Sequence, residues 1–381
     1  MRDLLLDKDM DILKRTISSF VKEEVTTFEV SQRDYIKELS QEAIKYFKDK
    51  ASATGLRSLG AKKDWGGAGL SLFSRTVIYE EAAQHRLGFY HPSGDAFGEE
   101  IPSFLERCTK DQIETYVKPA VQDGRGCFIA LWEEHEDNNI QRLKSSAVKN
   151  GEEWILNGHK FYIQKFEQAG FGVILVNCTG RNSEGKPTLF IIEGTDPTAI
   201  KETILIDVQK AHHLSFKDVR IHDNRRIGDI GEGEILIKKW LAEAQILLSA
   251  RCLGIAQRAL QYAKDYSKIR ITRGKPLSEF PSIQSMIAEG VVSLNAARVL
   301  VHDAAKKVDN RDSVGAVHAK MAKLFTTETT AKIIDDTFQI HGGAGFAGDL
   351  PFERWYKEIR LARLDLQKKE TIIKEIASMY L

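Results

Sequence analysis

The spacing of apolar positions changes character twice along the chain. Ile12, Ile17 and Phe20, then Ile44 and Phe47, recur near the period of a helix face. Trp65-Gly-Gly-Ala-Gly69 breaks that period as a glycine-rich turn. Ser71 stands where it would cap a further helix running to His85. Near Gly126 the texture shifts to short runs rich in Val, Ile and Phe: Cys127–Leu131, Phe171–Cys178 and Thr188–Ile192. Asn150-Gly151 and Asn157-Gly158 sit between such runs and predict two tight β-turns, because Asn-Gly supplies the positive φ angles a two-residue hairpin needs. After Gly233 the helical period returns: Ile287, Val291 and Leu294 step by four and three, and Val317–His341 behaves likewise. The expected organisation is an N-terminal helical domain (1–120), a small, mainly antiparallel β domain (121–230) and a C-terminal helical domain (231–381), an α+β chain without repeats or low-complexity linkers.

Composition narrows the function. The 55 basic and 54 acidic side chains leave a net charge of +1, so nothing favours a nucleic acid or a membrane surface as partner. The N-terminus lacks the apolar core of a secretory signal. The apolar stretch from Trp240 to Leu260 is interrupted by Glu243, Arg251 and Arg258, as in a buried helix of a water-soluble protein. Cys108, Cys127, Cys178 and Cys252 form no CxxC pair, which predicts free thiols, a cytoplasmic setting and no metal.

Two strings are misleading. Gly343-Ala-Gly345-Phe-Ala-Gly348 spells GxGxxG, but a dinucleotide turn must follow a strand, and here a helical segment, Lys332–Ile340, precedes it. His212-His213 is adjacent in sequence, and on a strand such neighbours face opposite ways instead of sharing a metal.

Other strings converge. Gln339-Ile-His-Gly-Gly-Ala-Gly-Phe346, Trp65-Gly-Gly-Ala-Gly-Leu70, Tyr79-Glu-Glu-Ala82, Asn157-Gly-His-Lys160, Phe216-Lys-Asp-Val-Arg220 with Gly231-Glu-Gly233, Leu253-Gly-Ile-Ala-Gln-Arg-Ala-Leu260 and Pro351-Phe-Glu-Arg354 occur in order. On these motifs the chain resembles the acyl-CoA dehydrogenase family over essentially its whole length. The resemblance implies that family's fold, with a four-helix bundle at the C-terminus, and a homotetramer or dimer binding FAD. It implies that Gln339, Gly342, Gly343 and Gly345 meet the FAD of a neighbouring subunit. Arg270, in a segment resembling "RxxFG" with Arg273 in place of the phenylalanine, is implied to touch the pyrophosphate, for which a guanidinium offers fixed paired donors. Trp132, Asn138 and Gln164 take the places of the family's flavin-side threonine, serine and threonine.

The chemistry departs from the family pattern. Dehydrogenation needs a carboxylate within reach of the substrate's α-proton. Counted from Pro351–Arg354, the glutamate of the family's "YEGT" segment falls on Leu366. The alternative position, counted back from Leu253-Gly254, falls on Ala244, followed by Gln245 where an arginine is usual. Asp365 and Glu243 each lie one residue from an empty base position. Leu366 keeps its main-chain N–H, which the resemblance implies would hold the thioester carbonyl. The expected function is an FAD-dependent oxidoreductase of an acyl thioester, acyl-CoA or acyl-carrier protein, by α,β-dehydrogenation with an altered or displaced base. Alternatives are other chemistry on the same scaffold (flavin monooxygenase, thioester lyase or decarboxylase) and an inactive member with a structural or regulatory role.

Overall fold

The structure is a computed structural model that describes residues 8–31, 39–86, 97–134, 140–179, 185–207 and 209–381. The N-terminal helices include α1 (Lys8–Phe20), α2 (Gln41–Ala53) and α3 (Leu72–Ala82). Ser71 caps α3 as expected: its Oγ accepts the Ser74 N–H at 3.1 Å. The Asp309 carboxylate takes the Leu72 and Phe73 N–H groups, each at 2.8 Å. The first three amides of α3, which have no partner within the helix, are thereby satisfied.

The strands are β1 (Cys127–Ala130), β2 (Ser146–Asn150), β3 (Glu153–Gln164), β4 (Phe171–Thr179), β5 (Lys186–Ile192), β6 (Ala199–Ile204), β7 (Lys210–His222) and β8 (Arg226–Ile227). They form an eight-stranded sheet in the order β6-β7-β3-β2-β4-β5-β8, with β1 also on β4. Only β1·β4 and β2·β4 are parallel among these pairings, so the sheet is mainly antiparallel. Trp154, Leu156, Ile174 and Phe190 lie in its core.

The two Asn-Gly dipeptides part company. Asn150 pairs with Glu153 across a two-residue loop, the expected hairpin. Asn157-Gly158 is not a turn. It lies inside β3, where the register against β7 shifts between Leu156 and Gly158. Gly158 adopts φ +147°, and an added Cβ would come within 2.2 Å of Ser145 Oγ. The glycine serves close approach at a bulge and not chain reversal. A Gly158→Ala variant is expected to lose about 1–3 kcal/mol of stability, read as a lower urea midpoint at unchanged slope.

His212 and His213 fall on β7 as alternation demands, the first buried and the second half-buried. His212 Nε2 lies 3.7 Å from Glu167, and the Lys210 ammonium lies 2.8 Å from Glu202, so lysine supplies the countercharge there.

The C-terminal helices are α4 (Gly233–Ile269), α5 (Pro281–Asp309), α6 (Gly315–His341), α7 (Phe352–Ala362) and α8 (Lys369–Ala377). The buried stripe of α5 is Gly290, Leu294, Ala297 and Val301, while Val291 is exposed. The sequence pattern placed Val291 on the inner face; small residues at 290 and 297 draw that face a notch around the helix. Among the described residues no helix is long and apolar enough to cross a membrane. Contacts divide the chain into two compact units, one comprising Met1–Gly55, Leu70–Phe97 and Ala242–Leu381, the other Leu56–Gly69 and Gly98–Leu241.

Candidate active site

In the helical unit, two segments expected to carry a base meet each other. Gln245 on α4 is fully buried, and its Nε2 donates to Gln367 Oε1 at 3.0 Å. Gln367 belongs to the loop between α7 and α8 that also holds Asp365 and Leu366. The places of Ala244 and Leu366, distant in sequence, thus lie on segments joined by a side-chain hydrogen bond. Glu243 is buried on α4, about 100° around the helix from Ala244.

The loop itself is a tight turn. The Gln367 N–H donates to the Asp365 carbonyl at 2.8 Å, and Leu366 between them has φ +61°. That combination is the strained hand of the γ-turn, rare for a residue with a Cβ. The Asp365 carboxylate, half-buried, accepts the Leu366 N–H through Oδ1 at 2.9 Å. The N–H expected to serve as oxyanion donor is therefore bonded to the Asp365 carboxylate. Lys323 of α6 donates through Nζ to the carbonyls of both Asp365 and Gln367. Burial pulls its pKa down to about 8, against the opposing pull of Asp365. No motif marked Lys323, but its position among Ala319, Ala322, Thr326 and Thr330 puts it on the buried stripe of α6, a signal legible in the sequence.

At the far end of α6 the glycine-rich string forms a short 3-10 turn, Gly342–Phe346. Gly342 has φ +54° and ψ −132°, a conformation only glycine adopts without strain. Space is open where Cβ atoms would stand on Gly342 and Gly343, whereas at Gly345 one would crowd Phe338 and His341 at 3.3 Å. Gln339 is exposed. His341 anchors the turn: its Nδ1–H donates to the Thr337 carbonyl at 2.8 Å, and its ring stacks on Tyr266 at 4.3 Å. Burial lowers its pKa. A cleft of about 450 Å³ runs between α4 and the turn, lined by Arg258, Tyr262, Tyr266, Ile269, His341 and Ala344. Arg270, the residue after Ile269, is exposed. Beyond it Ile271–Thr272 and Lys275–Pro276 form a hairpin whose turn residues, Arg273 and Gly274, have φ +50° and +80°.

The β unit holds the other expected contacts. Trp132 and Gln164 are both half-buried. The Trp132 carbonyl accepts the Phe161 N–H at 2.9 Å, and Gln164 pairs with Ala211, so the segment after β1 lies against the end of β3. Between them a second register shift, from Lys160 to Ile163, throws Tyr162 outward at φ +56°. The Phe161 and Tyr162 rings each lie 5.0 Å from His213, an aromatic cluster that the strand pattern alone did not reveal. Beneath it Lys160, wholly buried, donates to Glu133 at 2.7 Å and to the Leu131 carbonyl at 3.2 Å. Asn138 lies outside the described residues.

Residues 231–365 match the model for the acyl-CoA dehydrogenase C-terminal domain. The chain is 27% identical over 357 residues to 3-(aryl)acrylate reductase of Clostridium sporogenes, covering 92% of this chain and 93% of that protein. It is 26% identical over 340 residues to the mitochondrial isobutyryl-CoA dehydrogenase of Dictyostelium discoideum, covering 86% and 79%. Its fold superposes on butyryl-CoA dehydrogenase from Megasphaera elsdenii with a TM-score of 0.84 at 23% identity, over 99% of each chain. With the helical, β and helical order and the glycine turn closing α6, these likenesses support the acyl-CoA dehydrogenase family, whose C-terminal domain residues 231–365 match.

Proposed function

We propose that the chain is an FAD-dependent oxidoreductase acting across the α–β bond of an acyl thioester, with Asp365 as its displaced base. The observation that carries this reading is the 2.9 Å hydrogen bond from the Leu366 N–H to the Asp365 carboxylate. A proton acceptor and a carbonyl-polarising donor converge where the family has its glutamate. The residues present fit the cofactor. The Arg270 guanidinium makes no hydrogen bond or ion pair among the described residues, and Gly342 and Gly343 leave open approach to their backbone, as a diphosphate requires. Arg270, Gln339, Gly342, Gly343 and Gly345 would hold the diphosphate end of a neighbouring subunit's FAD. Trp132 and Gln164 would stack on and hydrogen-bond the ring. FAD supplies the two-electron acceptor, or the donor if the reaction runs toward reduction.

The chain's own residues do the rest. A thioester carbonyl that takes the Leu366 N–H displaces the Asp365 carboxylate from it. The carboxylate is then released beside the substrate's α-carbon, as a base that was held in reserve by the donor it gives up. The aliphatic Leu366 also favours a second reading, in which a group other than the α-proton leaves, as in decarboxylation or loss of a β-substituent. The exposed Phe346 and Ile269 support a homo-oligomer, since large apolar side chains beside a cofactor cleft call for cover. The free cysteines support a reducing, cytoplasmic setting.

The test is anaerobic titration of purified yellow protein with acyl thioesters of CoA and of carrier protein, saturated and α,β-unsaturated. Bleaching by a saturated thioester, or reoxidation of the reduced flavin by an unsaturated one, is the expected result. Product without a change of flavin redox state selects the second reading. A colourless protein that takes up no added FAD overturns both.

A further inference from the structure

We propose that Lys323 is a positioning residue for this site, holding the strained turn at Leu366 so that its N–H and the Asp365 carboxylate face the substrate together. The inference rests on the function proposed above and adds a residue to it. Lys323 is 1% exposed, and its ammonium donates to the carbonyls of Asp365 and Gln367, one on each side of Leu366. A leucine at φ +61° returns to ordinary backbone unless its surroundings forbid it. Relaxation of Leu366 would rotate its flanking peptide planes. The Lys323 grip opposes that rotation from below, and the Gln245–Gln367 hydrogen bond at 3.0 Å opposes it from α4. Burying an ammonium is costly, and two carbonyl acceptors compensate by solvating it. The loop and the lysine therefore hold each other in place.

The experiment compares wild type with Lys323→Met, which keeps the bulk and removes the donors, and Lys323→Gln, which keeps an amide donor. Two readouts are taken on the FAD-loaded proteins: amide hydrogen exchange at Leu366 and Gln367, and the maximal rate of flavin bleaching by a saturated thioester alongside the affinity for it. In Lys323→Met, exchange at both amides should rise about tenfold or more, the equivalent of ~1.4 kcal/mol. The maximal rate should fall by a similar factor with affinity and FAD content preserved, and Lys323→Gln should lie between. Exchange unchanged in folded Lys323→Met overturns the proposal, and so does faster exchange with an unchanged maximal rate. If Lys323→Met does not fold, the same criteria apply to Lys323→Gln. If no thioester bleaches wild type, the function proposed above fails on its own, and the exchange result still decides whether Lys323 holds the turn.

Discussion

An Asp365→Asn enzyme should bleach with acyl thioester about 10²–10⁴-fold more slowly than wild type, with FAD content unchanged. The substitution is nearly isosteric, and the amide oxygen can still accept the Leu366 N–H that the carboxylate holds at 2.9 Å, so the turn survives. What disappears is the basicity. The effect should fall on the maximal rate and spare affinity, because proton abstraction belongs to the transition state. Glu243→Gln serves as the control. Glu243 is buried on α4 and points about 100° away from the Ala244 position, so its loss should leave the rate near wild type. The check is stopped-flow absorbance under anaerobic conditions. A fast Asp365→Asn with a slow Glu243→Gln would move the base to α4.

The second large effect concerns stability. Lys160→Met should lose about 3–5 kcal/mol, the usual cost of leaving one member of a buried ion pair without its partner. Glu133 would then sit with the Lys144 and Ser145 N–H groups, at 2.7 and 3.2 Å, but without an ammonium. Adding Glu133→Gln should restore part of the loss, and a double-mutant cycle in urea measures the coupling. The pH dependence has a definite sign. Burial holds Lys160 at about 8, below its ordinary 10.5. Between these values the unfolded chain keeps a proton that the folded chain has given up, so stability contributed by this group rises with pH across the window. Lys323, also held at about 8, contributes in the same direction. The rise should therefore shrink in Lys160→Met without vanishing.

The Glu133–Lys160 pair also shows what the sequence could disclose. The resemblance placed Trp132 on the flavin side and matched the Asn157–Lys160 string, yet nothing linear said that Glu133, beside the first, holds the lysine of the second. Local chemistry was legible wherever one residue settles it: Ser71 as a cap, Asn150-Gly151 as a hairpin, a helix before the glycine-rich string. It failed where a distant neighbour decides. Asn157-Gly158 has the same letters as the true hairpin, but Ser145 lies where a Cβ would be, and the glycine became a bulge. Val291 kept helical spacing with Leu294, yet the small residues of α5 turned it outward. Counting along the resemblance puts Leu366 and Ala244 at the family's base positions. The strained turn, the lysine beneath it and the Gln245–Gln367 bond are products of packing among α4, α6 and the loop after α7, and only coordinates bring them together.

The most direct measurement is a crystal structure of the FAD-loaded enzyme with a non-reducing acyl-thioester analogue that keeps its carbonyl. The Leu366 N–H should bond the analogue's carbonyl oxygen, with the Asp365 carboxylate turned off that N–H and against the α-carbon. A Leu366 N–H still held by Asp365, with the α-carbon facing only aliphatic side chains or a different carboxylate, would contradict the proposed chemistry.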